Sequence, residues 1–250
     1  MGKLEDKITI VTGTTSGMGR EIARRFVREG AVVIGFARRK ERHDELQAEL
    51  GENYIPFVGD LMKDEDIDSC VKLVLDKFEK IDILVNNAGL NDDMFALHNL
   101  KDDAWFDRCM AVNLIAPLKF MRAVLPSMVD EMEGNIINIA SVGGIRGCRA
   151  GTIYTAAKHG LVGATKNIAY MYADEGIRCN AICPGGYATE CVPTANADKF
   201  GMDRAMIAAS GMPSMGTPDK IANLVAFLAS DEADNMSGAI ITSDFGWSAM

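Results

Sequence analysis

Short β-branched runs alternate with longer stretches whose apolar residues recur at helical spacing, and the alternation continues along the chain. Lys7–Thr12 predicts a first strand, which Gly13–Gly19 turns into a helix carrying Ile22, Ala23, Phe26 and Val27 on one face and stopping at Gly30. Further strands are expected at Ala31–Phe36, Tyr54–Val58, Ile81–Asn86, Ile136–Ser141, Ile177–Cys183 and Ala239–Thr242. Between them, helices are expected at Arg39–Leu50, Asp64–Phe78, Asp102–Val112, Pro117–Met132, Thr152–Tyr172 and Pro218–Leu228. Such alternation implies a doubly wound α/β fold, a parallel sheet of about seven strands with helices on both faces. No repeat or linker marks a second domain, so residues 1–250 read as one unit. Pro184–Met215 is the one long stretch without strand alternation, and such excursions often cover a site; the lid is expected at about 186–215.

Composition narrows the function. Apolar residues make up 48% of the 250, charged residues 24%, and the formal net charge is -9. An acidic chain is a poor fit to nucleic acid, whose phosphates need a basic face, and to anionic lipid. The start of the chain is polar and no apolar run reads as long enough to span a bilayer, so a cytoplasmic enzyme is expected, with no membrane partner. The six cysteines are scattered without a CxxC pair and are expected to be free buried thiols. His43, His98 and His159 are far apart and are expected at the surface, so no metal site is anticipated.

Two stretches carry candidate chemistry. Tyr154 and Lys158 lie four apart, so a helix puts both on one face. An ammonium beside the phenol is expected to lower its pKa and fit it for proton transfer. Ser141, at the end of an apolar run, is suited to hold a carbonyl oxygen against Tyr154. Glycines at 13, 17 and 19 follow the first strand, where close backbone approach and a helix N-terminus suit a pyrophosphate. After the second strand stands Ala37-Arg38-Arg39-Lys40 in place of an acidic residue, which points to the 2′-phosphate of NADP(H) rather than the free ribose of NAD(H). Arg38 is the expected phosphate ligand, with Arg39 assisting.

From Lys7 to Trp247 the chain resembles the short-chain dehydrogenase/reductase family, in the Rossmann group of folds. The resemblance is carried by Thr12-Gly13-x3-Gly17-x-Gly19, Asp60, Asn86-Asn87-Ala88-Gly89, Asn113, Ser141, Tyr154-x3-Lys158, and Pro184-Gly185 followed by Thr189. It implies that Gly13, Ser16, Met18 and Gly19 line the pyrophosphate and ribose, and that Asp60, with Leu61 beside it, meets the adenine. Asn87, Ala88 and Gly89 would line the adenosine ribose side, and Thr189 the nicotinamide carboxamide. Asn113 would kink its helix and hold a water, Ser141 orient the substrate oxygen, Tyr154 act as acid/base, and Lys158 bind the nicotinamide ribose. Met18 stands where Ile is common, and Gly186-Tyr187 where the family more often has an aliphatic residue before the Thr.

The implied activity is reversible hydride transfer between a secondary alcohol and a ketone, by a homotetramer or dimer, with small residues at Ala156, Ala157, Gly160, Gly163 and Ala164 at a helix contact. Met202, Met206, Met212 and Met215, with Tyr187, Val192, Phe200 and Ile207, lean the lid toward a bulky apolar substrate such as a hydroxysteroid or bile acid. Leu90, Met94, Phe95 and Ile145 are candidates to complete that wall, and Arg146 and Arg149 are candidates for a substrate carboxylate. The alternatives are a 3-oxoacyl-carrier-protein reductase, which the carboxylates at Asp130, Glu131, Glu133, Asp174 and Glu175 disfavour, and a non-catalytic dinucleotide sensor, which usually has a broken Ser-Tyr-Lys set.

Overall fold

The computed structural model describes residues 2–191 and 196–249. Seven parallel strands form one sheet in the order β3-β2-β1-β4-β5-β6-β7: β1 Ile8–Thr12, β2 Val32–Ala37, β3 Tyr54–Val58, β4 Ile83–Asn86, β5 Gly134–Ile139, β6 Ile177–Pro184 and β7 Ile240–Ser243. Among the described residues, eight α-helices connect them: α1 Gly17–Arg28, α2 Lys40–Leu50, α3 Asp64–Phe78, α4 Asp103–Met110, α5 Ala116–Asp130, α6 Thr152–Met171, α7 Lys199–Ala209 and α8 Pro218–Ala229.

Strand alternation divides the core into two layers. Ile10, Ile34, Leu84 and Ile136 face α3, α5 and α6, whereas Val11, Val33, Val85 and Ile137 face α1, α2 and α8. The register places Ile10 beside both Ile34 and Leu84, and Leu84 beside Ile136, so like faces line up across four strands. Each fully buried large side chain, Phe26 on one face or Phe120 on the other, contributes roughly 1.5–3 kcal/mol. With strands buried on both sides, the runs read as nearly continuous apolar sequence, which is why they were legible.

Three features differ from expectation. The helices expected at 102–112 and 117–132 form one continuous run, joined by a π-helical turn, Ala111–Ile115. Pro117 explains the wider turn: it has no N–H to give the Asn113 carbonyl, and its ring crowds that oxygen in a regular helix. By length and composition the joined run, Asp103–Asp130, is apolar enough to cross a membrane, contrary to the reading of the sequence. Its apolar positions are used otherwise, since Phe120, Met121, Val124, Leu125 and Met128 pack into the core. Finally, Pro184–Met215 includes a helix, α7, on which no residue is buried.

Candidate active site

The strand order reverses between β1 and β4, and the C-terminal ends of those strands open the crevice where α/β folds bind ligands. The glycine turn after β1 is held there by contacts that leave no room for a side chain on Gly13 or Gly19. A Cβ on Gly19 would lie 2.3 Å from the Gly13 carbonyl oxygen, and one on Gly13, whose φ is +77°, would lie 2.9 Å from Asn87 Nδ2. Asn87 donates to the Thr12 carbonyl oxygen at 2.8 Å, and the backbone N–H groups of Asn87 and Ala88 both donate to Thr12 Oγ1 at 3.0 Å. Gly17, φ +52°, faces Thr189 of the lid, 3.4 Å from where its Cβ would stand. Gly13, Gly19, Asn87 and Ala88 therefore form one unit, with Ser16 at the N-terminus of α1 and Thr189 above. A bare backbone turn at a helix N-terminus is a cradle that fits a dinucleotide pyrophosphate. Met18 turns away and packs against the core layer of α1 and α8, and Leu61 packs against the opposite layer. Asp60 is half-buried and caps its own turn, accepting from the Met62 N–H at 3.0 Å.

The cradle has a buried polar support that sequence reading missed. Tyr54 Oη lies 2.8 Å from Thr14 Oγ1 and 2.7 Å from His43 Nδ1, while His43 Nε2 faces the Ala37 carbonyl oxygen at 3.2 Å. Nε2 therefore carries the proton, and Nδ1 accepts from Tyr54. His43 is fully buried, which corrects its expected surface position, and burial pushes its pKa below the ordinary range. His98 and His159 are exposed. A Cβ on Gly35 would stand 2.2 Å from Tyr54 Oη, so the network needs a glycine in the middle of β2.

At the adenosine end the two arginines separate. Arg38 is exposed and makes no hydrogen bond or ion pair among the described residues. Arg39 donates to Ser16 Oγ at 2.7 Å and to Thr15 Oγ1 at 3.2 Å, and pairs with Glu190 at 3.2 Å. Arg42, which sequence reading passed over, reaches the same Glu190 at 2.7 Å. Its spacing of three from Arg39 was the available signal. Hydrogen bonding from Arg42 holds the Glu190 carboxyl below its ordinary range.

Ser141, Tyr154, Lys158 and Asn113 come together across the crevice. Ser141 leaves β5 and its Oγ accepts from the Gly143 N–H at 3.0 Å while hydrogen-bonding to Tyr154. Lys158 Nζ lies 5.6 Å from the centre of the Tyr154 ring and donates to the Ile139 carbonyl oxygen at 2.9 Å. A Cβ on Gly89 would stand 3.3 Å from Asn113 Oδ1 and 3.8 Å from Lys158 Nζ, which puts the Asn86–Gly89 segment beside Asn113 and Lys158. Asn113, fully buried in the π turn, donates to the Leu90 and Cys109 carbonyl oxygens at 2.8 and 3.0 Å and accepts from the Leu90 N–H at 3.1 Å. The electrostatic expectation for Tyr154 is overturned. Burial pushes the phenol above its ordinary range, and the Ser141 hydrogen bond only partly opposes this. Lys158, 2% exposed, is itself pushed down to about 8 by burial, so its ammonium is the costly form there.

Other expectations are also revised. Cys70, Cys109, Cys179 and Cys183 are buried, but Cys148 and Cys191 are exposed. Tyr187 turns inward, buried in the core layer of α1 and α8, with its hydroxyl 2.5 Å from Ser243 Oγ. Arg146 donates to the Ser248 carbonyl oxygen at 2.8 Å, and Arg149 lies over the Trp247 ring at 4.3 Å. Phe200, Met206, Ile207 and Met215 are exposed, Leu90, Met94, Phe95 and Ile145 half-buried, and Val192 lies outside the described residues. Among the described residues, no group of three or more His, Cys, Asp or Glu comes together as a metal site.

The family model described as "Enoyl-(Acyl carrier protein) reductase" matches residues 13–248. "Short-chain dehydrogenase/reductase olcF" of Penicillium canescens is 40% identical, with 100% of both chains covered. "3beta-hydroxysteroid dehydrogenase 2" of Eggerthella lenta is 38% identical over 98% of this chain and 96% of its own. Among solved structures, levodione reductase superposes with a TM-score of 0.88 at 31% identity, covering 98% of this chain and 99% of that one. Identity of this extent over whole chains, on a shared parallel sheet, means that the chain belongs to the short-chain dehydrogenase/reductase family of nicotinamide-dinucleotide oxidoreductases.

Proposed function

We propose that this oxidoreductase interconverts a secondary alcohol and a ketone, with Tyr154 as the proton-transfer group and NADP(H) as the preferred cofactor. The observation that carries the reading is the convergence of Ser141, Tyr154 and Lys158 next to the glycine cradle. The cofactor supplies or accepts the hydride when bound. Gly13, Ser16, Gly19, Asn87, Ala88 and Gly89 line its seat, with Asp60 and Leu61 toward the adenine and Thr189 toward the nicotinamide. Ser141 holds the substrate oxygen, Tyr154 gives or takes its proton, and Asn113 holds a water behind Lys158. Because burial disfavours both phenolate and ammonium, proton transfer at this pair is sensitive to any charge brought into the crevice.

Arg38 supports the NADP(H) reading: it is exposed after β2, while Arg39 and Arg42 are engaged with Glu190. A charged hydrogen bond to a phosphate is worth roughly 1.5–3 kcal/mol, lowered by solvent. The exposed apolar side chains of α7 support a bulky apolar substrate, a hydroxysteroid or bile acid, as does the relative named a 3beta-hydroxysteroid dehydrogenase. A homotetramer or dimer in the cytoplasm, with residues 1–250 as one domain, completes the reading. The face of α6 supports assembly: a Cβ on Gly163 would meet nothing within 4 Å, and Tyr170 is 87% exposed.

The test is a panel of steroid and bile-acid alcohols and simpler ketones, run with both cofactors on wild type, Tyr154→Phe and Arg38→Ala. Tyr154→Phe is expected to lose ~100- to 10,000-fold in kcat while still binding cofactor. Retention of a tenth of the activity would remove Tyr154 from its role. A wild-type preference for NAD(H), or unchanged selectivity in Arg38→Ala, would remove the cofactor assignment.

A further inference from the structure

The helix that carries Tyr154 and Lys158 begins without a cap of its own. Its N-cap is Gly151, no side chain within it serves the first turn, and no acidic residue lies in that turn. The free N–H groups of a helix start need partners when they are buried. They find them in a different part of the chain, the loop that follows β4. Asp92, 3% exposed, accepts from the Gly151 N–H at 3.1 Å through Oδ1 and from the Tyr154 N–H at 3.0 Å through Oδ2. Thr152 N–H donates to the Phe95 carbonyl oxygen at 3.2 Å.

We propose that Asp92 is a positioning residue for Tyr154, gripping the backbone of the proton-transfer residue itself and fixing the phenol against Ser141. The inference rests on the assignment of Tyr154 as that residue.

Three observations make the grip specific. A Cβ on Gly151 would stand 2.3 Å from Asp92 Oδ2, so the carboxylate sits in space that only glycine leaves open. The loop is bent to deliver the carboxylate: Asp93 and Met94 both have positive φ, 53° and 59°, a cost that persists only when the surroundings fix it. Oδ1 also accepts from the Met94 N–H at 3.1 Å, which ties the bend to the same carboxylate. The far side of the loop is tied to the lid. Asp198 caps α7, accepting from the Gly201 N–H, and also accepts from the Ala96 N–H and Asn99 Nδ2, both at 2.9 Å. Its own N–H donates to the Asp93 carbonyl oxygen at 2.9 Å. A negative charge at the positive end of α6 is favourable in its own right.

Asp92 also bears on the phenol through space. The groups that face Tyr154 are Lys158 on α6, Ser141 after β5, Cys109 on α4, Cys191 in the lid and Asp92 itself. Of these, Asp92 and the two thiols disfavour the phenolate.

The experiment is steady-state kinetics of full-length Asp92→Asn and Gly151→Ala in the alcohol-oxidation direction, across pH, with cofactor binding read by fluorescence. Asparagine keeps the size but turns an N–H₂ toward a backbone donor and removes the charge. The expected result is a loss of ~10- to 100-fold in kcat, since a displacement of about 1 Å at a reacting group can cost that much. Cofactor Kd should stay within about threefold, and the acid limb of the kcat profile should move to lower pH, because a charge opposing the phenolate is gone. Gly151→Ala pushes the carboxylate off the Tyr154 N–H and should lower kcat with the cofactor Kd unchanged. Asp92→Asn with kcat within twofold of wild type, or with an unmoved acid limb, overturns the proposal, as does a fully active Gly151→Ala. An active Tyr154→Phe would instead sink the underlying assignment, whereas an inactive Tyr154→Phe beside an active Asp92→Asn would sink this inference alone.

Discussion

The cofactor cradle and the lid lie on the same crevice and are built by opposite means. In the cradle the polar groups are spent on one another: Thr12 with Asn87 and Ala88, Thr14 with Tyr54, Tyr54 with His43. Gly13 and Gly19 sit where a Cβ would be 3 Å or closer to backbone or amide atoms. In the lid, α7 buries nothing, and Phe200, Met206 and Ile207 are exposed. A region with few buried contacts moves and is easily changed; one closed by buried hydrogen bonds does neither. The cradle is thus suited to a fixed dinucleotide, while the lid, proposed above as the substrate-facing segment, can vary in sequence without unfolding the sheet.

Breaking the cradle should have the largest effect. Gly19→Ala would drive a methyl to 2.3 Å from the Gly13 carbonyl oxygen, a backbone atom that cannot turn aside. A cost of roughly 1–3 kcal/mol in stability is expected, with a loss of cofactor affinity greater than tenfold, measured by denaturant titration and cofactor fluorescence. An unaltered melting curve would show that the turn is looser than its contacts imply.

Changing the lid should touch substrate and spare the fold. Met206→Ala with Ile207→Ala is expected to raise KM for a bulky apolar ketone by about tenfold, leaving stability within roughly 0.5 kcal/mol. A large drop in Tm would mean that these side chains are covered in the assembled protein.

The cradle's buried histidine should make stability depend on pH. The folded pKa of His43 is depressed, so the unfolded chain binds its proton more readily. Its contribution is complete above the unfolded value, about 6.5, and is lost as pH falls below it. Urea midpoints from pH 7.5 to 5 should therefore decline in wild type and flatten in His43→Gln. Equal slopes in both would remove His43 as the cause.

The smallest change is expected where lid and cradle meet. Glu190→Gln releases Arg39 and Arg42 from an exposed pair worth at most about 1 kcal/mol. Affinity for NADP(H) should rise by no more than about fivefold, with NAD(H) unmoved, in parallel titrations. Weaker NADP(H) binding would show that Glu190 orders the arginines instead of competing for them.

Much of this organisation was legible in the chain. Buried parallel strands must be apolar almost throughout, and helices must carry apolar residues at a turn's spacing, so the element order could be read directly. The Tyr154–Lys158 spacing and the glycine turn are local as well, since each function needs its residues within one or two turns of chain. What tertiary structure alone decided are the contacts between residues distant in sequence. Asp92 on the start of α6, His43 beneath the glycine turn and Glu190 between two arginines leave no periodic trace, because each is a single side chain meeting a surface made elsewhere. The protonation balance of Tyr154 and Lys158 belongs to the same class. Spacing put an ammonium near a phenol, but burial, which only the folded chain creates, disfavours the charge on both.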